Sequence, residues 1–387
     1  MRITEIRETA IRLESKLRNA AFSFDEMTTS IVAVVTDVVR AGRPVVGYAF
    51  NSTGRYACGA QIRDRLVPRL MKAQAAGKLS IDPAAFDPDA VLASMMVGEK
   101  PGGDMERSVG IGTIEVAVWD AVAKIAGKPA YQLIADRYRG GVIAKDVFCY
   151  VGGGWYLPGK GVPQLLDEVR KYLDWGYTLI KIKVGGAPLA EDIARIEAVL
   201  KLLGDPKRLA LDANCGIGAD RRPAYAEAIK PYGLRWFEEP AHPVDYQGNA
   251  EFIAAYGGAV ATGENLFSLE DVVNLARYGG MRPGVDIVQC DTPQSYGIGT
   301  LARMLAALAG MGWQAGDVLP HGGNMMSLNF AAGFGLGMCE AYPDAFGVFS
   351  GYADDLKLSD GVLRVGDWEG FGFERQRELH QLMRKLA

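Results

Sequence analysis

Six ionisable residues recur along the middle of the chain: Lys183, Asp212, Glu238, Glu264, Asp291 and His321, at gaps of 29, 26, 26, 27 and 30 positions. Each lies near the end of a short apolar run: LIKIK, RLALDAN, LRWFEEP, VATGEN, DIVQCD and DVLPH. One charge at a strand-to-loop junction is ordinary. Six in phase argue for a single shared pocket. Asp212, Glu238 and Glu264 are oxygen donors on three successive runs, and three carboxylates forced together repel one another unless a cation sits between them. Ligation by oxygen alone, without histidine or thiolate, selects Mg2+ over zinc, one ion per subunit. Asn214 and Asn265 follow their ligands closely enough to support them. Glu239 points away from Glu238 on a continued strand, so only one of the two faces the interior, and the 26-residue spacing favours Glu238.

The remaining residues handle protons. Lys181 and Lys183 alternate with Ile182, so both ammonium groups share one face of a strand. Mutual repulsion and partial desolvation lower a lysine pKa, which suits Lys183 to accept a proton near neutral pH. His321 comes about five strands later and so faces the other side of the pocket, with Asp291 placed to accept its ring N–H and fix the tautomer. His242 and His380 have no such setting. Glu340, in CEAYP, reads either as an exposed loop acid or as a protonated donor to a substrate carboxylate. A divalent ion on a substrate carboxylate stabilises the enediolate left when an α-proton departs. Lys183 is the base for that step. With His321 opposite, reprotonation of the carbon inverts it, as in a racemase, while protonation of a β-hydroxyl expels water, as in a dehydratase. A non-catalytic binder would have no use for two opposed proton-transfer groups.

The spacing is that of a βα unit, and charges at strand C-termini match the chemical face of an α/β fold of the (β/α)8-barrel type. Residues 127–349 form the barrel, with Val147–Tyr150 and Phe346–Phe349 completing eight strands and helices over Pro163–Leu173, Leu189–Leu203, Ala224–Pro231, Leu269–Tyr278 and Gly299–Met311. Residues 1–126 form an α+β capping domain, with strands at Arg2–Leu13, Thr28–Val39 and Val45–Phe50 and helices at Ile62–Ala75 and Pro88–Met96. Glu106–Ala126 is apolar on most sides and reads as a buried helix docking the two parts. The tail, 350–387, carries an Asp360-Gly361 hairpin signal and packs back on the cap.

The totals narrow the partners. A formal charge of −4 in 387 residues carries no basic excess, which argues against a nucleic-acid surface and leaves a small-molecule carboxylate as substrate. No run is long enough to span a membrane. Five scattered cysteines and an N-terminus without a secretory pattern point to a reducing cytoplasm. The glycine-rich VGGG, GKG and PHGG stretches lack P-loop spacing.

The KxK strand, the D…E…E ligands, the Asp–His pair and the IEVAVWDAVAKIAGKP helix resemble the mandelate racemase subgroup of the enolase superfamily over nearly the whole chain. That likeness implies Asp212, Glu238 and Glu264 as Mg2+ ligands, Lys183 as base, Asp291–His321 as acid, Lys181 as its assistant and Glu340 at the substrate carboxylate. Within the subgroup the chain is similar to the D-tartrate dehydratases in Arg18-Asn19, the Gly47–Tyr56 loop (GYxFNSxGRY), Glu99–Gly103 (EKPGG), the segment around Tyr156 and PHGG. The implied reaction converts tartrate to oxaloacetate, with sugar-acid dehydration or racemisation as alternatives, in a homo-oligomer. Asn19, Thr53, Lys100 and Tyr156 are implied around the distal end of the substrate, with Lys100 on its second carboxylate. Thr53 replaces the asparagine of that group, and Pro240 follows the Glu pair where theirs has no proline.

Overall fold

A computed structural model describes residues 1–82, 86–343 and 345–387. The chain opens with an antiparallel sheet of β1 (Ile3–Arg12), β2 (Thr28–Arg40) and β3 (Arg43–Phe50), in the order β1-β2-β3. Helices α1 (Val67–Ala75, preceded by a π-turn over Gln61–Leu66), α2 (Pro88–Met95) and α3 (Met105–Ile125) come next. Every residue of α3 from Arg107 to Lys124 is buried. A helix that is apolar all round needs partners on every side, and α3 finds them in the cap sheet and in the barrel. Two glycines allow the close approach: a Cβ at Gly47 of β3 would collide with the Ala117 carbonyl, and one at Gly112 with the Pro293 carbonyl.

After α4 (Ala130–Tyr138) the chain alternates strands and helices: β4 (Asp146–Gly153), α5 (Val162–Asp174), β5 (Ile180–Lys183), α6 (Leu189–Leu203), β6 (Leu209–Asp212), α7 (Arg222–Ile229), β7 (Phe237–Glu238), α8 (Tyr246–Tyr256) and β8 (Val260–Thr262). It continues through α9 (Leu269–Tyr278), β9 (Ile287–Cys290), α10 (Ile298–Ala309), β10 (Val318–Pro320), α11 (Met325–Phe334) and β11 (Cys339–Ala341). Strands β4 to β10 pair in parallel in sequence order, and β11 returns to β4 with Cys339 opposite Cys149. At the last seam Gly337 N–H donates to the Val318 carbonyl at 3.1 Å. This is the eight-stranded barrel with an N-terminal cap that the strand period predicts.

The eighth strand is not where the apolar run placed it. Phe346–Phe349 folds as a 3-10 turn over Gly347–Phe349, and Cys339–Ala341 takes the strand position instead. The Phe346 ring packs on Phe24, Trp155 and Tyr342, so its hydrophobicity serves the joint between cap and barrel and not a strand. The tail also divides. Asp360 and Gly361, both at positive φ, turn the hairpin of β12 (Leu358–Ser359) and β13 (Val362–Arg364), and β13 pairs with β4 of the barrel. Beyond the hairpin the tail reaches the cap sheet: Glu369 pairs with Arg40 at 2.8 Å, the Phe373 ring meets Phe50, His380 of α12 (Arg377–Met383) meets the Tyr48 ring, and Arg7 donates to the Leu386 carbonyl at 2.8 Å. No helix of the described residues is long and apolar enough to cross a membrane.

Candidate active site

Strand register assembles the barrel end. Lys183 pairs with Asp212 and Asp212 with Glu238 across β5, β6 and β7, and Glu264 lies two residues beyond β8. The alternation of β5 turns Ile180 and Ile182 to one side and Lys181 and Lys183 to the other, both lysines being buried. Buried charges must be paired, because each loses several kcal/mol of hydration. Lys183 Nζ lies 2.5 Å from Asp212 Oδ2, and Lys181 Nζ contacts Glu238 while lying 3.4 Å from Asp212 Oδ2 and 2.5 Å from Glu340 Oε1.

These pairs reverse one expectation. Burial alone works against the charged form of Lys181, but Glu238 and Glu340 outweigh it and lift its pKa well above the ordinary lysine value. Lys181 is therefore a fixed cation. Glu340 is also reassigned: it is wholly buried on β11, and although burial favours its acid form, Lys181 and then His321 hold it below the usual carboxylate range. It stays ionised and is neither an exposed loop acid nor a protonated donor. Its contact with the Lys181 ammonium, 2.5 Å from Oε1, is what keeps the buried carboxylate charged.

Glu238 and Glu239 also depart from strict alternation. Glu238 ends β7 inside the barrel, engaged by Lys181 and by the Trp236 indole N–H at 2.8 Å. Glu239 takes a left-handed φ of 48°, which breaks the pleat and swings its side chain into the cavity above. Both are thus on the site side. Burial, then Glu264 and Asp212, push the Glu239 carboxyl up to about 8. Asn265 and Asn214 donate to it, the latter at 3.5 Å.

This excess of buried carboxylate, together with a buried Asn214 Oδ1 that accepts no hydrogen bond among the described residues, fits a hard divalent cation. The side chains as they stand do not converge: no group of three His, Cys, Asp or Glu among the described residues encloses a metal position. Lys181 and Trp236 hold Glu238, and Lys183 holds Asp212, while Glu239 and Glu264 have no lysine beside them among the described residues.

His321, just past β10, places Nδ1 2.8 Å from Asp291 Oδ2. Asp291 is itself fixed by the Gln294 N–H at 3.1 Å and by the Ser52 hydroxyl, which reaches down from the cap. With Nδ1–H on Asp291, Nε2 is left facing Glu264 at 3.7 Å and Glu340 at 3.8 Å. Burial disfavours the imidazolium, but Glu264, Asp291 and Glu340 outweigh it and raise the pKa to about 10. His321 is accordingly protonated, ready to donate.

Lys183 and His321 line one cavity of about 50 Å³ with Asn214, Glu239 and Glu264. The cap closes it with Asn19 and Thr53, two of the residues singled out in the sequence. The space as it stands is smaller than an acid sugar. Lys100 and Tyr156 are elsewhere. Lys100 is exposed on the Glu99–Gly103 loop, whose Glu99 is held by Arg65, Arg69 and Arg107. Tyr156 bonds Asp192 at 2.6 Å, with Arg195 stacked on its ring. Sequence reasoning also passed over Arg55 and Gln294, both in the wall. Arg55 lay inside the GYxFNSxGRY loop, where a cation on a cap turn was the available signal.

The family described as Enolase C-terminal domain-like matches residues 164–379. With the capped barrel, this places the chain in the enolase superfamily. The L-talarate/galactarate dehydratase of Salmonella typhimurium is 28% identical over 364 residues, covering 92% of this chain and 84% of the relative. The 3,6-anhydro-alpha-L-galactonate cycloisomerase of Streptomyces coelicolor is 32% identical over 275 residues, covering 68% and 70%. The solved structure of the Salmonella dehydratase liganded with Mg and L-lyxarohydroxamate superposes with a TM-score of 0.75 at 25% identity, over 97% of this chain and 90% of that one.

Proposed function

We propose that the chain is a magnesium-dependent dehydratase of acid sugars, removing water from a hydroxy acid by α-proton abstraction. One observation carries this reading: the Lys183 ammonium and the Asp291-oriented imidazole of His321 share a single small cavity whose wall also holds carboxylate strand ends. The relatives support the substrate class, since they are named for acid sugars. Asp212, Glu238 and Glu264 are the residues that would hold the ion, with Asn214 beside them. Magnesium, when bound, supplies positive charge that offsets the negative charge gathering on the substrate carboxylate.

The protein side of the reaction rests on the pairs described. Lys183, on the cavity wall with its Nζ 2.5 Å from Asp212 Oδ2, is the group placed to take the α-proton as the free amine. Lys181, wholly buried between Glu238 and Glu340, remains charged and keeps the neighbouring position positive. Asp291 accepts Nδ1–H and orients the His321 imidazolium so that its Nε2–H faces the cavity, where it protonates the departing β-hydroxyl. The product is an enol that becomes a keto acid. For tartrate, the smallest hydroxy diacid of this kind, that keto acid is oxaloacetate.

Racemisation is the second reading, favoured by the same opposed pair of proton-transfer groups. Incubating the enzyme with Mg2+ and a panel of acid sugars and tartrates in deuterium oxide separates them. Keto-acid formation supports dehydration; deuterium in recovered, inverted acid without keto acid establishes the racemase and removes our proposal.

A further inference from the structure

The turn that carries Arg55 is built before any ligand arrives. Asn51, fully buried, donates to the Ser52 and Arg55 carbonyls at 3.1 and 3.0 Å, and Arg55 N–H closes the turn on Ser52 at 3.2 Å. The guanidinium then crosses to the barrel. Its Nε donates to Gln294 Oε1 at 2.8 Å, Nη2 donates to Asn265 Oδ1, and its Cζ lies 4.8 Å from the Phe267 ring centre.

Both acceptors are oriented from behind. Gln294 Nε2 donates to the Glu264 and Leu266 carbonyls at 2.8 and 3.0 Å, which turns its oxygen toward Arg55. Asn265 donates to Glu239 and so presents its oxygen likewise. Two neutral amides therefore fix the arginine without neutralising it. Among the described residues no carboxylate lies within ion-pair distance of Arg55, and its Nη1 makes no hydrogen bond. A guanidinium offers five donors in a planar fork suited to a carboxylate. Here the uncommitted edge belongs to a residue in the cavity wall.

We infer that Arg55 is a specificity-determining residue that binds a second carboxylate, at the end of the substrate remote from the reacting one, so that the site takes diacids over monoacids. The inference rests on the acid-sugar reading above and narrows it. It also moves to Arg55 the role that sequence likeness gave to Lys100, whose side chain is exposed and outside the cavity wall. A monoacid ending in a hydroxymethyl group would leave the fork unpaired and so bind and react poorly.

The test compares wild type, Arg55→Gln and Arg55→Lys, each loaded with Mg2+. Calorimetric titration with 2-hydroxyadipate, a six-carbon hydroxy diacid with no β-hydroxyl to lose, and 2-hydroxyhexanoate, its monoacid counterpart, reads binding without turnover; kcat/KM on galactarate and galactonate reads it in the reaction. The wild type should prefer the diacid, and Arg55→Gln should lose about 100-fold on diacids alone. Arg55→Lys, which keeps the charge but not the fork, should lose about tenfold. Equal loss on both acids would make Arg55 a latch between cap and barrel only, and no loss would leave it without a role; either overturns the inference. If the Gln variant unfolds, as its melting curve will show, the Lys variant decides by the same selectivity. A wild type that dehydrates no acid sugar defeats the functional reading, while the 2-hydroxyadipate titration still decides Arg55.

Discussion

Lys183, Asp212 and Glu238 hang from paired strands, where register alone fixes which side chains meet. Ser52, Thr53 and Arg55 hang from a turn held by one asparagine side chain and reach the same cavity from the other side of the cap–barrel joint. The strand ends carry both lysines in contact with acids, each within 2.5 Å of one. The cap turn carries a charge with no acid beside it. The difference separates two tasks: a rigid sheet holds the groups that must not move during proton transfer, and a cap turn carries those that select what enters.

Removing the base should break this comparison most severely. Lys183→Ala is expected to cut turnover by at least about 10³-fold and to abolish α-deuterium exchange, measured below the melting temperature that the unpaired, buried Asp212 lowers. Exchange that persists in this variant, measured by proton NMR in deuterium oxide, would reject Lys183 as base. Chelation is expected to be nearly as severe: EDTA should stop keto-acid formation and added Mg2+ should restore it. Full turnover in excess chelator would remove the metal from the strand-end side of the comparison.

His321→Asn sharpens the division within the barrel itself. It should lower keto-acid release by about 10²-fold or more while α-exchange, which needs only Lys183, survives. Loss of both reactions together would show that the two sides do not act separately. A milder effect is expected on the cap. Thr53→Val should raise KM by about fivefold with kcat changed less than about threefold, because one hydroxyl contact to bound substrate is removed and no proton-transfer group is touched. A fall confined to kcat, in steady-state assays over a range of substrate, would place Thr53 among the reacting groups instead.

The sheet side was the legible side. A 26-to-30-residue period and strand alternation suffice to bring six residues to one barrel end, because both are properties of the backbone. What the sequence concealed depends on neighbours distant in the chain. The Lys181 pKa goes up because Glu238 and Glu340 flank it, which no local pattern reveals. Glu239 joins the cavity through one left-handed residue, and strand parity breaks at such a point. The run Phe346–Phe349 imitates a strand because cap residues cover it, while the true eighth strand, CEA, is too short and too polar to stand out. Lys100 and Tyr156 were misplaced because their loops obey no period; only tertiary pairing sends Tyr156 to Asp192.

The smallest effect expected tests the joint between the two regions. Glu115, on the buried helix α3, accepts from the Ile298 and Gly299 N–H groups at 2.9 and 3.0 Å in the first turn of α10, and from the Trp119 indole at 2.9 Å. A carboxylate at a helix N-terminus is favoured by those donors, yet burial outweighs them and raises its pKa from 4.5 to about 7. Because the folded value lies above the unfolded one, the native state holds the extra proton between them, and stability falls as pH rises from about 4.5 through about 7. The full swing is roughly 3 kcal/mol by the linkage relation. Glu115→Gln, which cannot ionise, should flatten that part of the melting-temperature profile between pH 5 and 8 while leaving the diacid preference at the cavity unaltered. A profile as steep as wild type would show that Glu115 is not the titrating group. A changed diacid preference would show that the joint, and not the cap turn alone, sets what the strand ends receive.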